Sequence, residues 1–161
     1  MPIRMEAYHR RNRFITFGGW MAKFPALCVA MIFTASMAAA QGQRAQNQSK
    51  LIARGKYLVA NVAMCGDCHS PHDQQGREVS GRELQGAPLF FQPVQPVPGW
   101  VPVAPPIAGL EGWTKSEAVR FLMTGIKRDG NPAAPPMPPV RLSRNDAEAV
   151  VEYLKSLKPL R

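Results

Sequence analysis

Cys65-Gly66-Asp67-Cys68-His69 places two thiols three positions apart and an imidazole directly after the second. C-x-x-C-H is the attachment signature of a c-type haem. The thiols add across two vinyl groups as thioethers, and the neighbouring imidazole lies beneath the iron as an axial ligand. Gly66 and Asp67 add little bulk, so one turn of chain reaches both vinyls. A zinc site would need a second pair of ligands, and no cysteine follows Cys68. A thioredoxin-like pair would need strand–helix–strand periodicity around it, and the flanking sequence lacks that pattern. The motif therefore predicts one covalently bound haem c on Cys65, Cys68 and His69.

Haem is attached in this way outside the bacterial cytoplasm, which requires an export address upstream. Lys23 precedes an apolar run from Phe24 to Ala39, and Ala38-Ala39-Ala40 before Gln41 fits the small-x-small cleavage rule. The run is short for a membrane span. The expectation is a secretory signal cleaved after Ala40 and a periplasmic protein, with membrane attachment only if the signal is retained. Cys28 leaves with the signal. Arg10-Arg11 and Phe14 resemble a twin-arginine signal, but that route carries folded cargo, whereas haem ligation needs an accessible chain. Met21 is an alternative start, because residues 21–40 form a complete signal peptide by themselves; the other reading is a long basic leader.

The full chain carries a net charge of +9. Residues 41–161 hold 15 Lys and Arg against 10 Asp and Glu, about +5, before the haem propionates subtract up to about two. The basic residues are scattered rather than blocked, which argues against nucleic acid as a partner. A mild positive field suits docking to an acidic redox protein, and a solvated surface is the plainer reading. The domain plan is 1–40 as leader and signal, 41–48 as a flexible polar lead-in, and 49–161 as one small domain.

Within that domain the periodicity is helical. Ser49 is placed to cap a helix over Lys50–Met64, with Leu51, Ile52, Leu58, Val59 and Val62 on its apolar side. Gly55 inside it costs up to about 1 kcal/mol relative to alanine, which close approach of another helix would justify. Thr114-Lys115-Ser116-Glu117 is a capping box for a helix through Thr124, closed by Gly125, with Val119, Phe121, Leu122 and Met123 apolar. Ser143 caps a last helix in which Ala147, Val150, Val151, Leu154 and Leu157 recur at helical spacing before Pro159. Residues 71–106 and 125–141 are Pro/Gly-rich and aperiodic, and Gln92–Pro98 should be extended. The first loop is long enough to wrap a haem edge, with Phe90, Phe91 and Trp100 burying against haem or core, or forming a docking patch. The fold class expected is all-α, about three helices around the haem.

The second axial position decides between electron transfer and gas binding. Pro135-Pro136-Met137-Pro138-Pro139 is the strongest candidate, because four prolines restrict the backbone around one thioether. Sulfur opposite imidazole favours ferrous iron and raises the reduction potential. Met123 reads as core, Met64 lies on the wrong side of the motif, and His72 reads as a loop residue.

These residues resemble a class I monohaem cytochrome c. Arg54-Gly55-Lys56-Tyr57-Leu58-Val59, Cys65 to Pro71, Gly109 to Thr114, Pro136-Met137-Pro138 and Val151 to Leu157 are similar to the cytochrome subunits of bacterial periplasmic dehydrogenases. The resemblance implies that the first and last helices cross with Gly55 near Tyr153 or Leu154. It also implies a backbone carbonyl orienting the His69 ring, with Pro71, Pro88 and Pro106 as candidates. Many such subunits carry three haems and a C-terminal anchor; this chain has one motif and ends at Arg161. That favours a small one-electron carrier taking electrons from a dehydrogenase and passing them to a terminal oxidase or another cytochrome. A dedicated subunit of a molybdenum, flavin or quinoprotein dehydrogenase, with the Phe90–Trp100 segment as its interface, is the alternative. A gas-binding haem protein is a third reading.

Overall fold

The computed structural model describes residues 25–160, with side chains from residue 41 onward. The leader features at Lys23, Arg10-Arg11, Phe14 and Met21 lie outside the described residues. The chain divides into two units, 1–42 and 43–161; in the first, the described part is helical backbone.

Helix α1 (Pro25–Tyr57) runs without interruption into a π-turn over Leu58–Val62. It therefore begins well before Ser49, whose hydroxyl donates to the Gln46 carbonyl at 2.9 Å and caps nothing. Gln41–Gln48, expected as a flexible polar lead-in, is helical, with every residue exposed. The π-turn changes the facing of the residues after it. Leu58 and Val59 are each 3% exposed and form the core, but Val62 is 52% exposed. One extra residue per turn rotates Val62 off the face that α-helical spacing would give it. Met64, at φ +46°, ends the run, and α2 (Gly66–His69) follows at once.

Two later helices complete the bundle. At the start of α3 (Lys115–Thr124) the Thr114 hydroxyl accepts the Glu117 N–H at 3.3 Å. The Glu117 carboxylate accepts the Thr114 N–H at 2.9 Å in return. Gly125 closes α3 in the left-handed region at φ 74°. Helix α4 (Arg144–Ser156) starts where the Ser143 hydroxyl accepts the Asp146 N–H at 3.2 Å. Both caps are where the sequence puts them.

Ala147, Ala149, Val150, Val151 and Leu154 of α4 are buried. They divide between two clusters, one shared with Leu58, Val59, Leu84 and Ala108, the other with Ala118 and Val119 of α3. Gly55 lies against α4 as expected, and a Cβ there would fall 2.0 Å from the Ala149 carbonyl oxygen and 2.7 Å from Tyr153 Cβ. Between α2 and α3, strands β1 (Ala87–Pro88) and β2 (Val103–Ala104) pair antiparallel, joining Ala87 to Ala104 and Pro88 to Val103. A short 3₁₀ turn covers Ala108–Leu110. The fold is mostly helical, with three principal helices and long loops.

Candidate haem site

The C-x-x-C-H motif occupies a single turn. The His69 N–H donates to the Cys65 carbonyl at 2.9 Å, and the Ser70 N–H to Gly66 at 3.0 Å. Residues three and four apart on a helix share a face, so this turn brings Cys65, Cys68 and His69 to one side. Burial pushes the Cys65 thiol up to about 11 and raises Cys68 too, with the Asp67 charge adding to both. Thiols so raised stay protonated at neutral pH, where the thiolate needed for disulfide exchange is scarce.

His69 is 7% exposed and its Nδ1 lies 2.7 Å from the Pro105 carbonyl oxygen. A carbonyl accepts and never donates, so Nδ1 carries the proton and Nε2 keeps its lone pair. Burial lowers the His69 pKa, opposed by the Pro105 bond; the neutral ring that can ligate iron is thereby favoured. The orienting carbonyl belongs to Pro105, and none of Pro71, Pro88 or Pro106 fills that place.

The loop that supplies Pro105 is fastened to the His69-Ser70 backbone by two further bonds and closed on itself by two more. Gly86 N–H donates to the His69 carbonyl at 2.7 Å, and Leu84 N–H to the Ser70 hydroxyl at 2.9 Å. Ile107 and Ala108 N–H both donate to the Leu84 carbonyl, at 2.9 and 3.1 Å. Leu84 holds φ +60°, which costs a non-glycine residue about 1–2 kcal/mol. Gly86, at φ +81°, has no side chain to obstruct the 104–106 backbone, which would sit 2.8–3.0 Å from a Cβ there.

Met137 lies half-buried in the second proline-rich loop. Its N–H donates to Ala134 at 3.1 Å, and Val101 N–H donates to the Pro135 carbonyl at 2.9 Å. The methionine loop is thus tied to the same 84–108 segment that carries Pro105. The rival groups are engaged or misplaced. Met123 packs against the α3–α4 cluster, Met64 is 56% exposed beside Cys65, and His72 forms a bridge with Glu78. The residues present fit a haem, with two thiols on one turn and a buried imidazole whose remaining nitrogen has no partner among the described residues. Among the described residues no three His, Cys, Asp or Glu side chains converge to hold a bare metal ion.

The protein core does not take Phe90 and Phe91, which leaves the haem edge or a docking patch among their expected placements. Phe90 is 77% exposed and Phe91 39%, and they form an edge-to-face ladder from His72 through Phe90 and Phe91 to Trp100. The protein interior does not enclose them, because prolines at 93, 96, 98 and 102 hold the segment away from helical packing. Three of the scattered basic residues have local partners. Lys115 pairs with Glu152, Lys127 with Asp129 at 3.1 Å, and Arg128 donates to the Gly112 carbonyl at 3.1 Å.

The cytochrome c family model matches residues 52–158. One of the subunits of the nicotinate dehydrogenase of Pseudomonas putida is 28% identical over 98% of this chain and 13% of its own length. The cytochrome c subunit of a quinone-dependent alcohol dehydrogenase from Gluconacetobacter polyoxogenes is 32% identical over 68% of this chain and 25% of its own. The gluconate 2-dehydrogenase cytochrome c subunit of Pantoea cypripedii is 29% identical, over 71% and 28%. The chain therefore spans about a quarter or less of the length of the first two and little more of the third.

Proposed function

Because the chain belongs to the cytochrome c family, an electron-transfer family with covalent haem c, we propose that it is a periplasmic one-electron carrier whose haem iron is held by His69 Nε2 and Met137 sulfur. When bound, the haem supplies reversible one-electron chemistry between ferrous and ferric iron. The protein's residues bind, orient and shield. Cys65 and Cys68 anchor the ring, Pro105 fixes the imidazole, and the four prolines around Met137 limit the conformational entropy its thioether loses on ligation. The observation that carries the axial pair is the common tether: Pro105 reaches His69, and Val101 binds Pro135, from one loop.

In this reading the signal is removed after Ala40, and residues 49–161 form the working domain behind the 41–48 lead-in. A dehydrogenase donates the electron and a terminal oxidase or another cytochrome accepts it. Among the described residues no helix is long and apolar enough to cross a membrane. The test of the ligand is the far-red charge-transfer band that sulfur ligation gives ferric haem. It is expected in the mature protein and lost in Met137→Ala. A band absent from the parent, or surviving the substitution, overturns Met137 as ligand, and absence with ready carbon monoxide binding moves the reading to gas binding.

A second reading, a dedicated subunit of one dehydrogenase, is favoured by the surface. The chain from Gln85 to Leu110 contains no charged residue, and Val94 at 98% and Phe90 at 77% stand exposed in it. An uncharged stretch with exposed apolar side chains suits apolar docking better than charge steering. Co-purification with a dehydrogenase that persists in high salt would select this reading; separation in moderate salt would select the free carrier.

A further inference from the structure

Ser70 is 1% exposed, and it and His69 are the buried polar side chains of the described residues. A buried serine commonly satisfies its own hydroxyl and does no more. Here the hydroxyl closes a ring of contacts. The ring runs from Ser70 to the Leu84 N–H at 2.9 Å, from the Leu84 carbonyl to the Ile107 N–H at 2.9 Å, back two residues to Pro105, and from the Pro105 carbonyl to His69 Nδ1 at 2.7 Å. His69 precedes Ser70, so the ring begins and ends on adjacent residues.

We propose that Ser70 is a positioning residue for His69: through Leu84 its hydroxyl holds the Pro105 carbonyl on Nδ1–H and so sets the electron density at Nε2. The proposal rests on His69 being an axial ligand. Leu84 is the element at risk, because its left-handed backbone persists only where the surroundings over-determine it. Without the hydroxyl, the Leu84 N–H loses its partner at a 3% exposed position, and the backbone is free to relax toward an ordinary conformation. That shift draws the Ile107–Pro105 segment off the imidazole. A histidine whose second nitrogen donates a strong hydrogen bond is the more basic ligand. Weakening that bond makes the ring a poorer donor, stabilises ferric iron less and favours reduction.

The experiment uses the haem-loaded protein and its Ser70→Ala and Ser70→Thr variants, with two readouts: exchange of the His69 Nδ1 proton by NMR, and reduction equilibrium against a fixed mediator. In Ser70→Ala the ring proton should exchange about fivefold or more faster, as loss of one buried hydrogen bond implies. The reduction equilibrium constant should rise by about threefold, or about 28 mV at 59 mV per decade for one electron. Ser70→Thr, which keeps the hydroxyl, should restore both values. A folded Ser70→Ala with neither value moved overturns the proposal, as does a Ser70→Thr that behaves like alanine. If Ser70→Ala does not fold, the parent decides: the Leu84 amide and the His69 ring proton should share one opening and so one protection factor. A Leu84 amide exchanging about a hundredfold faster than a protected ring proton refutes the coupling. Absence of haem-shifted His69 ring signals in the parent overturns the ligand assignment and this proposal with it; their presence beside an unmoved Ser70→Ala overturns the proposal alone.

Discussion

Replacing Gly55 by alanine adds one methyl group where α1 meets α4. In an isolated helix the change stabilises by about 1 kcal/mol. In this fold the new Cβ lies 2.0 Å from the Ala149 carbonyl oxygen, 2.6 Å from its carbonyl carbon and 2.7 Å from Tyr153 Cβ. Two of those atoms are backbone, and Ala149 is fully buried, so no flexible side chain can swing aside. The helices must part by about 1 Å, and a gap of that size forfeits a quarter to a half of the dispersion well at each contact. Leu58, Val59, Val150 and Leu154 share the separated cluster. Overpacking of this kind costs about 3 kcal/mol, the upper end of its usual range, and about 2 kcal/mol remains after the helix-propensity gain. For a domain of this size that lowers Tm by about 10 °C. Thermal unfolding of the haem-loaded Gly55→Ala protein, followed by far-ultraviolet circular dichroism, measures it. The sign decides: a variant as stable as the parent, or more so, means the helices do not approach as described.

Thr114→Ala removes the hydroxyl of the α3 capping box and should cost about 1 kcal/mol in urea unfolding, whereas Thr114→Ser should recover most of it. The Glu152 carboxyl is held below the usual glutamate value, chiefly by its bond to Lys115. A depressed folded value stabilises above the unfolded pKa and is lost as pH falls through the folded one, so stability should drop between about pH 5 and 3. Lys115→Ala should flatten that drop by under about 1 kcal/mol, since the lysine is 55% exposed; an unchanged acid limb refutes the pairing. Arg54 meets Asp146 at 3.0 Å, but both ends reach solvent, at 51% and 29% exposed. Arg54→Ala should therefore change stability by less than about 0.5 kcal/mol in the same urea assay.

The helices were legible because their signals are local. A capping box spans four residues, an apolar stripe two turns, and both α3 and α4 start and stop near the residues that carry those signals. Gly55 was legible for a related reason, since a glycine at mid-helix beside an apolar stripe points to close contact. The π-turn at Leu58–Val62 was not. It satisfies an unusual set of backbone bonds, with Ala63 N–H on Leu58 and Cys65 N–H on Val59, and no residue type marks where a helix widens. The start of α1 differs from the expected one because the Ser49 hydroxyl can bond either forward as a cap or backward within a helix, and its side chain looks alike in both roles.

The identity of the carbonyl on His69 shows why the loops resist reading. Proline has no N–H, so each proline removes a donor and leaves an acceptor. Pro105 and Pro106 remove two donors in a row, and the first N–H after them, on Ile107, goes to Leu84. The Pro105 carbonyl receives no backbone donor among the described contacts and is left for the imidazole. The Pro71 carbonyl instead accepts the Val79 N–H at 2.8 Å. Sequence supplies the shortage of donors but not the pairing, since that depends on Leu84 taking a left-handed backbone 21 residues upstream of Pro105. The proline-rich loop is thus short of donors, and the Pro105 carbonyl is one of the acceptors that shortage leaves open, at the place where the His69 ring meets it.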